Sequence, residues 1–188
     1  YGLGQWPGLH AQHLMDDSLF PVASPALPGV EALHDPARIA ELPLLTDLSP
    51  QGWRDWFRHA GVRPPSPLPP MHTFADSTDA MRAAVYGMGA VLARTHIAQP
   101  YLQRYEVVRL PGPALKARYA YYVVHAEGQP PSPAARLFID WLLGQAQDTA
   151  HRSRHCPTVC SAARPRPADQ ALTRSLPIAG YALSLIHI

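Results

Sequence analysis

Two cysteines, Cys156 and Cys160, are all that the 188 residues contain, and both fall near the C-terminus. A disulfide framework is therefore excluded for the fold, and a cytoplasmic setting is expected. Charge of either sign is scarce: 16 Lys and Arg stand against 14 Asp and Glu, a net of +2. That balance argues against a general nucleic-acid-binding surface. No apolar run is long enough to cross a membrane, and no charged-then-apolar signal segment opens the chain. The first residue is Tyr1 rather than Met, so the true N-terminus is expected to lie upstream. Catalytic motifs are missing as well. There is no Gly-x-Ser-x-Gly elbow, and no pattern pairs His and Asp with an activated Ser. Gly87-Met88-Gly89 lacks the third glycine and the partner acid of a dinucleotide loop, and reads as a helix-to-strand turn. No enzyme, cofactor or metal site is expected. His151, His155, Cys156 and Cys160 are zinc-type ligands, but in no standard spacing and with no surrounding core.

Apolar residues make up 47% of the chain, enough for a sizeable core, and the 22 prolines cluster. Three helices are signalled by a capping residue followed by proline. Asp35-Pro36 opens Ala37–Leu42. Ser49-Pro50 opens Gln51–Ala60, closed by Gly61, with Trp53, Trp56, Phe57 and Ala60 as its apolar face. Ser132-Pro133 opens Ala134–Gln145, with Leu137, Phe138, Trp141 and Leu142 as a buried stripe. A fourth helix starts at Asp76 or Ser77 and stops at Gly87. Strands are expected at Leu19–Ala23, Leu44–Leu48, Met71–Phe74, Ala90–Ala93, Glu106–Leu110 and Tyr119–Ala126, the last richest in strand formers. Alternating strands and helices argue for an α/β fold with a largely parallel sheet. Arg63–Pro70 is a proline-rich connector. From about Asp148 the periodicity fades, and 148–188 reads as a disordered or non-native tail. Its last six residues, Leu183–Ile188, resemble the translation of a sequencing-library adapter.

Several segments, in order, resemble the effector (substrate-binding) domain of LysR-type transcriptional regulators, in particular the glycine-cleavage-activator-like subgroup. They are Tyr1-Gly2-Leu3-Gly4-Gln5-Trp6-Pro7-Gly8, Leu19-Phe20-Pro21-Val22-Ala23-Ser24-Pro25, Trp53-Arg54-Asp55-Trp56, Phe74-Ala75-Asp76-Ser77, Ala83 through Ala90, Tyr119 through Val124 and Phe138 through Leu143. The resemblance spans 1–147. It implies a periplasmic-binding-protein-like (type 2) fold, two α/β lobes joined by crossing strands, with the second lobe at about 24–118 and the first incomplete. Leu19–Ala23 would be one crossing and Tyr119–Ala126 the return. It also implies a small-molecule effector as partner, DNA bound only through an N-terminal domain that is missing here, and a homo-oligomer in the full-length protein. No membrane partner is implied.

Candidate effector-binding residues follow. Free N–H groups and the helix dipole at Asp76, Ser77 and Thr78 suit a small carboxylate, although capping alone accounts for the same residues. Within the resembling family this helix start faces the effector cleft. Tyr119 on the return strand and Arg94 after the Ala90–Ala93 strand complete the set, against ordinary roles in the core and on the surface. A solute-binding protein of a transport system shares the implied fold and is the alternative.

Overall fold

The computed structural model describes residues 1–68 and 71–154. Two sheets are built from strands of opposite logic. The smaller pairs β1 (Leu9–Met15) antiparallel with a strand near the end of the chain, Leu9 facing Ala126 and His13 facing Tyr122. The larger begins with β2 (Ser18–Ala23) and adds β3 (Leu44–Thr46), β4 (Met71–Thr73), β5 (Ala90–Arg94), β6 (Val108–Arg109) and β7 (Leu115–Lys116). Its order is β4-β3-β5-β2-β6, with β7 also on β2. β8 (Tyr121–Ala126) returns the chain to the small sheet.

The large sheet is mixed rather than largely parallel. β3 runs parallel to β4 and β5, while β2 is antiparallel to β5, β6 and β7. Periodicity reports that a strand is buried, not which way its neighbour runs, so direction was not legible. β2 is also no crossing: Ser18–Ala23 lies wholly in the large sheet. The chain crosses at Asp16-Asp17 and returns through Ala117–Ala120, where Ala117 N–H donates to the Asp17 carbonyl at 3.0 Å.

Alternation along the central strands builds a core on each face. Leu44 and its partner Ala90 join Ala23 on one face, packed by Ile39, Trp53, Trp56 and Phe57; Leu45 and its partner Val91 join Val22 on the other, packed by Ala80, Met81, Ala84 and Ala98. The first face is covered by a 3-10 turn, Pro36–Glu41, capped by Asp35 on the Ala37 N–H, and by α1 (Trp53–His59). α1 starts later than Ser49-Pro50 suggests, with Gly52 at its N-cap; Gly61, at φ +72°, follows its end as expected. Both indoles stay buried because each N–H is satisfied: Trp53 donates to the Leu45 carbonyl and Trp56 to the Pro113 carbonyl, both at 2.9 Å. The second face carries α2 (Ser77–Val85) and α3 (Thr95–Gln103). α3 was not anticipated, because Thr95, Ile97 and an interior Pro100 all disfavour helix; tertiary packing of Ala98 overrides that bias.

α4 (Pro133–Arg154) rests on β1. Its half-buried residues are Ala135, Ile139, Leu142, Leu143 and Ala146, at helical spacing. The expected stripe is corrected at three positions: Leu137, Phe138 and Trp141 are 73%, 46% and 58% exposed. Two strands about 5 Å apart present too narrow a platform to cover more than one side of a helix about 10 Å across. α4 also continues to Arg154, through the first seven residues of the stretch that read as aperiodic tail. Residues 155–188, with His155, both cysteines and Leu183–Ile188, lie outside the described residues, as does the side chain of His151.

Candidate functional site

Parallel strands in an open sheet leave their carboxyl ends free, and ligands settle where neighbouring strands diverge. Here the carboxyl ends of β3 and β5 lie side by side, the N-terminus of α2 follows β4 at the same edge, and the Asp16-Asp17 crossing passes beside them. The side chains that gather there are polar. Arg94, the last residue of β5, is the hub. Its Nε donates to Ser77 Oγ at 3.2 Å, one Nη to Ser49 Oγ at 2.8 Å, and the other to Asp17 Oδ2 at 3.3 Å and to the Tyr1 hydroxyl. The Tyr1 ring also lies 4.7 Å from the guanidinium carbon.

Burial makes these contacts strong. The Asp17 side chain is fully buried and Arg94 is only 11% exposed. Asp17 Oδ1 accepts from the Ser18 N–H at 2.8 Å, so both carboxylate oxygens are engaged. Burial acts to lower the basicity of Arg94, yet Tyr1 and Asp17 outweigh it and push it above the usual guanidinium value. Asp47, in the loop after β3, is half-buried; burial acts to raise its carboxyl, but hydrogen bonds from the Ser49 hydroxyl, the Ser77 hydroxyl and the Ser49 N–H, with Arg94 nearby, hold it below the ordinary carboxylate range. Tyr1 is pushed up by burial, opposed by Arg94 and reinforced by Asp17; Tyr121 is pushed up by burial and by Asp17.

The sequence-predicted residues divide. Ser77 and Arg94 are joined directly. Tyr119 reaches the cluster through the Tyr1 ring, 5.7 Å away and edge-on; it lies at the return crossing, just before β8. Asp76 is the N-cap of α2, accepting from the Thr78 N–H at 2.7 Å and the Asp79 N–H at 2.9 Å. Thr78 is exposed beside it. The Thr78 and Asp79 N–H groups are thus already taken by Asp76, and the Ser77 hydroxyl by Asp47. Asp17, Asp47, Ser49 and Tyr1 were missed. Two signals could have found the acids: an acidic pair between the apolar residues Leu14-Met15 and Leu19-Phe20, and an acid closing the buried strand Leu44–Thr46. Gln51 links the same loop to the return crossing, its amide oxygen accepting from the Arg118 N–H and its Nε2 donating to the Lys116 carbonyl at 3.3 Å.

Two cavities are open to a ligand among the described residues. One of about 10 Å³, the room of a single water, is lined by Asp47, Ser49, Gln51, Gly52 and Trp53 among others. A wide, open groove of about 560 Å³ lies elsewhere, between Gly4–Ala11 and Glu127, and shares no residue with the cluster. The small cavity adjoins the cluster through Asp47 and Ser49, whereas the groove touches none of the cluster residues. Among the described residues no group of three or more His, Cys, Asp or Glu side chains could hold a metal ion, and no helix is long and apolar enough to cross a membrane. The arrangement can bind and orient a polar molecule.

The family profile of the LysR substrate binding domain matches residues 1–147. The glycine cleavage system transcriptional activator of Escherichia coli strain K12 is 31% identical over 151 residues, covering 78% of this chain and 48% of that protein. The HTH-type transcriptional activator AmpR of Citrobacter koseri is 25% identical over 146 residues, covering 78% and 49%. The chain thus spans about half the length of the curated relatives it matches. Among solved structures, the effector domain of AmpR from Pseudomonas aeruginosa superposes with a TM-score of 0.72 at 25% identity, covering 82% of this chain and 73% of that one. The AmpR effector binding domain of Citrobacter freundii gives 0.67 at 30%, covering 78% and 72%.

Proposed function

This chain belongs to the LysR substrate-binding domain family, and we propose that it is the ligand-sensing, non-catalytic part of a transcription regulator whose DNA-binding helix-turn-helix lies in a segment not present here. The observation that carries the reading is the Arg94 cluster, a set of buried charges and hydroxyls at the carboxyl ends of β3 and β5. Such a cluster contributes little to stability relative to an apolar core. Its position at the crossing between the two sheets is where a bound molecule would couple to lobe closure. Closure would in turn change the arrangement of paired subunits in a full-length homo-oligomer on DNA. That the relatives are named as transcriptional activators supports sensing over solute transport.

The domain division that goes with this reading is a partial effector domain over 1–147, its second lobe at about 24–118, followed by a C-terminal tail whose first residues, 148–154, continue α4. The effector is a small molecule with a carboxylate, contacted by Ser77, Thr78, Asp76, Tyr119 and Arg94. The exposed Thr78 hydroxyl and the Arg94 guanidinium supply donors. Asp76 holds the helix start in place, and Tyr119 backs the Tyr1 ring. Calorimetric titration of the full-length regulator with its effector tests the assignment. Losing one hydrogen bond to a charged ligand costs about 1.5–3 kcal/mol, so Thr78→Val should weaken binding about tenfold or more; Ser77→Ala, which removes the hydroxyl that joins Asp47 to Arg94, should weaken it as well. Unchanged affinity in both would leave these residues as structural caps only.

A further inference from the structure

The charges of the cluster do not cancel. Asp17 and Asp47 face one guanidinium, that of Arg94. Lys116, at the end of β7, is committed to Asp16 at 3.1 Å, and Arg118, on the return crossing, is exposed to solvent. One negative charge is therefore left over in a half-buried setting, where an unbalanced charge is costly. The imbalance has a definite address. Asp17 is fully buried, with both oxygens engaged. Asp47 is not. A carboxylate offers about four lone-pair sites; Asp47 uses three, for the Ser49 N–H, the Ser49 hydroxyl and the Ser77 hydroxyl. It also lines the cavity of about 10 Å³, in company with Ser49, Gln51 and Trp53. An ammonium group is close to a water molecule in size, so that space fits it, and an indole in the lining suits a cation.

Donors are left over in the same cluster for an anion. A guanidinium has five N–H groups, and Arg94 directs four, to Ser77, Tyr1, Asp17 and Ser49. The fifth and the exposed Thr78 hydroxyl remain. We infer that the effector is a small zwitterion of the α-amino-acid type, its ammonium group seated against Asp47 and its carboxylate received by Arg94 and Thr78. This rests on the sensing role proposed above and narrows it: a plain carboxylate would meet Asp47 as a like charge, and a plain amine would leave the Arg94 and Thr78 donors unread.

The test uses matched ligands on the 188-residue chain, read by amide chemical shifts so that weak binding still registers. The twenty protein amino acids are screened in pools. Each amino acid that gives a saturable shift at Asp47–Ser49 and Ser77–Asp79 is then titrated beside its des-amino acid and its decarboxylated amine. The inference predicts at least one such amino acid, with both analogues at least tenfold weaker. It further predicts that Asp47→Asn brings the amino acid and the des-amino acid to within about twofold of each other. The wild-type comparison stands whether or not the variant folds. A des-amino acid or an amine that binds as tightly as its parent overturns the zwitterion while leaving a ligand site at the cluster. No saturable shift at the cluster from any amino acid, analogue or simple carboxylate overturns both this inference and the sensing site.

Discussion

Replacing Arg94 with Met tests whether the cluster is one electrostatic unit. The substitution keeps most of the stem that packs at the end of β5 and removes only the charge and its five donors. Asp17 is then left fully buried without its counter-ion, retaining only the Ser18 N–H. Removing one partner of a buried ion pair costs about 3–5 kcal/mol, because the surviving charge is neither solvated nor paired. For a chain of this length each kcal/mol shifts the thermal midpoint by about 2–4 °C, so Arg94→Met should lower it by roughly 6–20 °C. Since whole domains hold only about 5–15 kcal/mol, urea unfolding by circular dichroism should show the same loss. The double variant Arg94→Met with Asp17→Asn removes the stranded charge while keeping an acceptor for Ser18. It should recover at least about 1 kcal/mol over Arg94→Met alone, a coupling in the range expected for residues in contact. A single-variant cost below about 1 kcal/mol, or a double variant whose cost is the plain sum of the singles, would refute the reasoning.

Three further outcomes are expected. Gly89→Ala should cost at least about 1–3 kcal/mol in urea unfolding, since an added Cβ would stand 2.4 Å from the Pro43 carbonyl oxygen, the same oxygen that accepts the Ala90 N–H at 2.8 Å; a neutral result would mean the β3–β5 pairing is not as close as described. Trp141→Ser should stay within about 0.5 kcal/mol of wild type, whereas Leu142→Ala on the face that meets β1 should cost more; the reverse order in thermal melts would show that α4 is turned the other way. Because the Asp47 carboxyl is held below its ordinary value in the folded chain, it contributes stability that is present above the unfolded carboxylate value and is lost as pH falls through the folded one; Asp47→Asn should therefore flatten the acid limb of a stability–pH profile from about pH 5 downward, and an unchanged limb would show that Asp47 is not held by these bonds.

Much of the fold was legible because its signals are local. Alternation gave the buried strands at Leu44, Ala90 and Leu19, and the aromatic spacing of Trp53, Trp56 and Phe57 gave a helix face that packs in the core. Asp76 and Gly87 bound α2 as capping chemistry requires, Gly87 lying at φ +75°. What failed was non-local. Strand direction, the position of the crossing at Asp16-Asp17 and the exposure of Leu137, Phe138 and Trp141 depend on what lies beside them in space, which is distant in sequence. The candidate site shows the same division. Ser77 and Asp76 could be found from a helix start and Arg94 from a strand end, but Asp17, Asp47 and Ser49 carry no motif. They matter only because the segments after β1, β3 and β4 meet the end of β5 at one edge. Tyr119 was assigned to the return strand by propensity, whereas its role comes from the ring of Tyr1 at the other end of the chain.

The central claim is that recognition happens at the Arg94 cluster and not in the open groove lined by Gly4–Ala11 and Glu127. A backbone-amide titration of the uniformly labelled chain with small carboxylates and amino acids locates the site directly. The account predicts saturable shifts centred on Asp47–Ser49, Ser77–Asp79 and Arg94, spreading to the crossing at Asp17. Shifts confined to Gly4–Ala11 and Glu127, with the cluster silent, would contradict it.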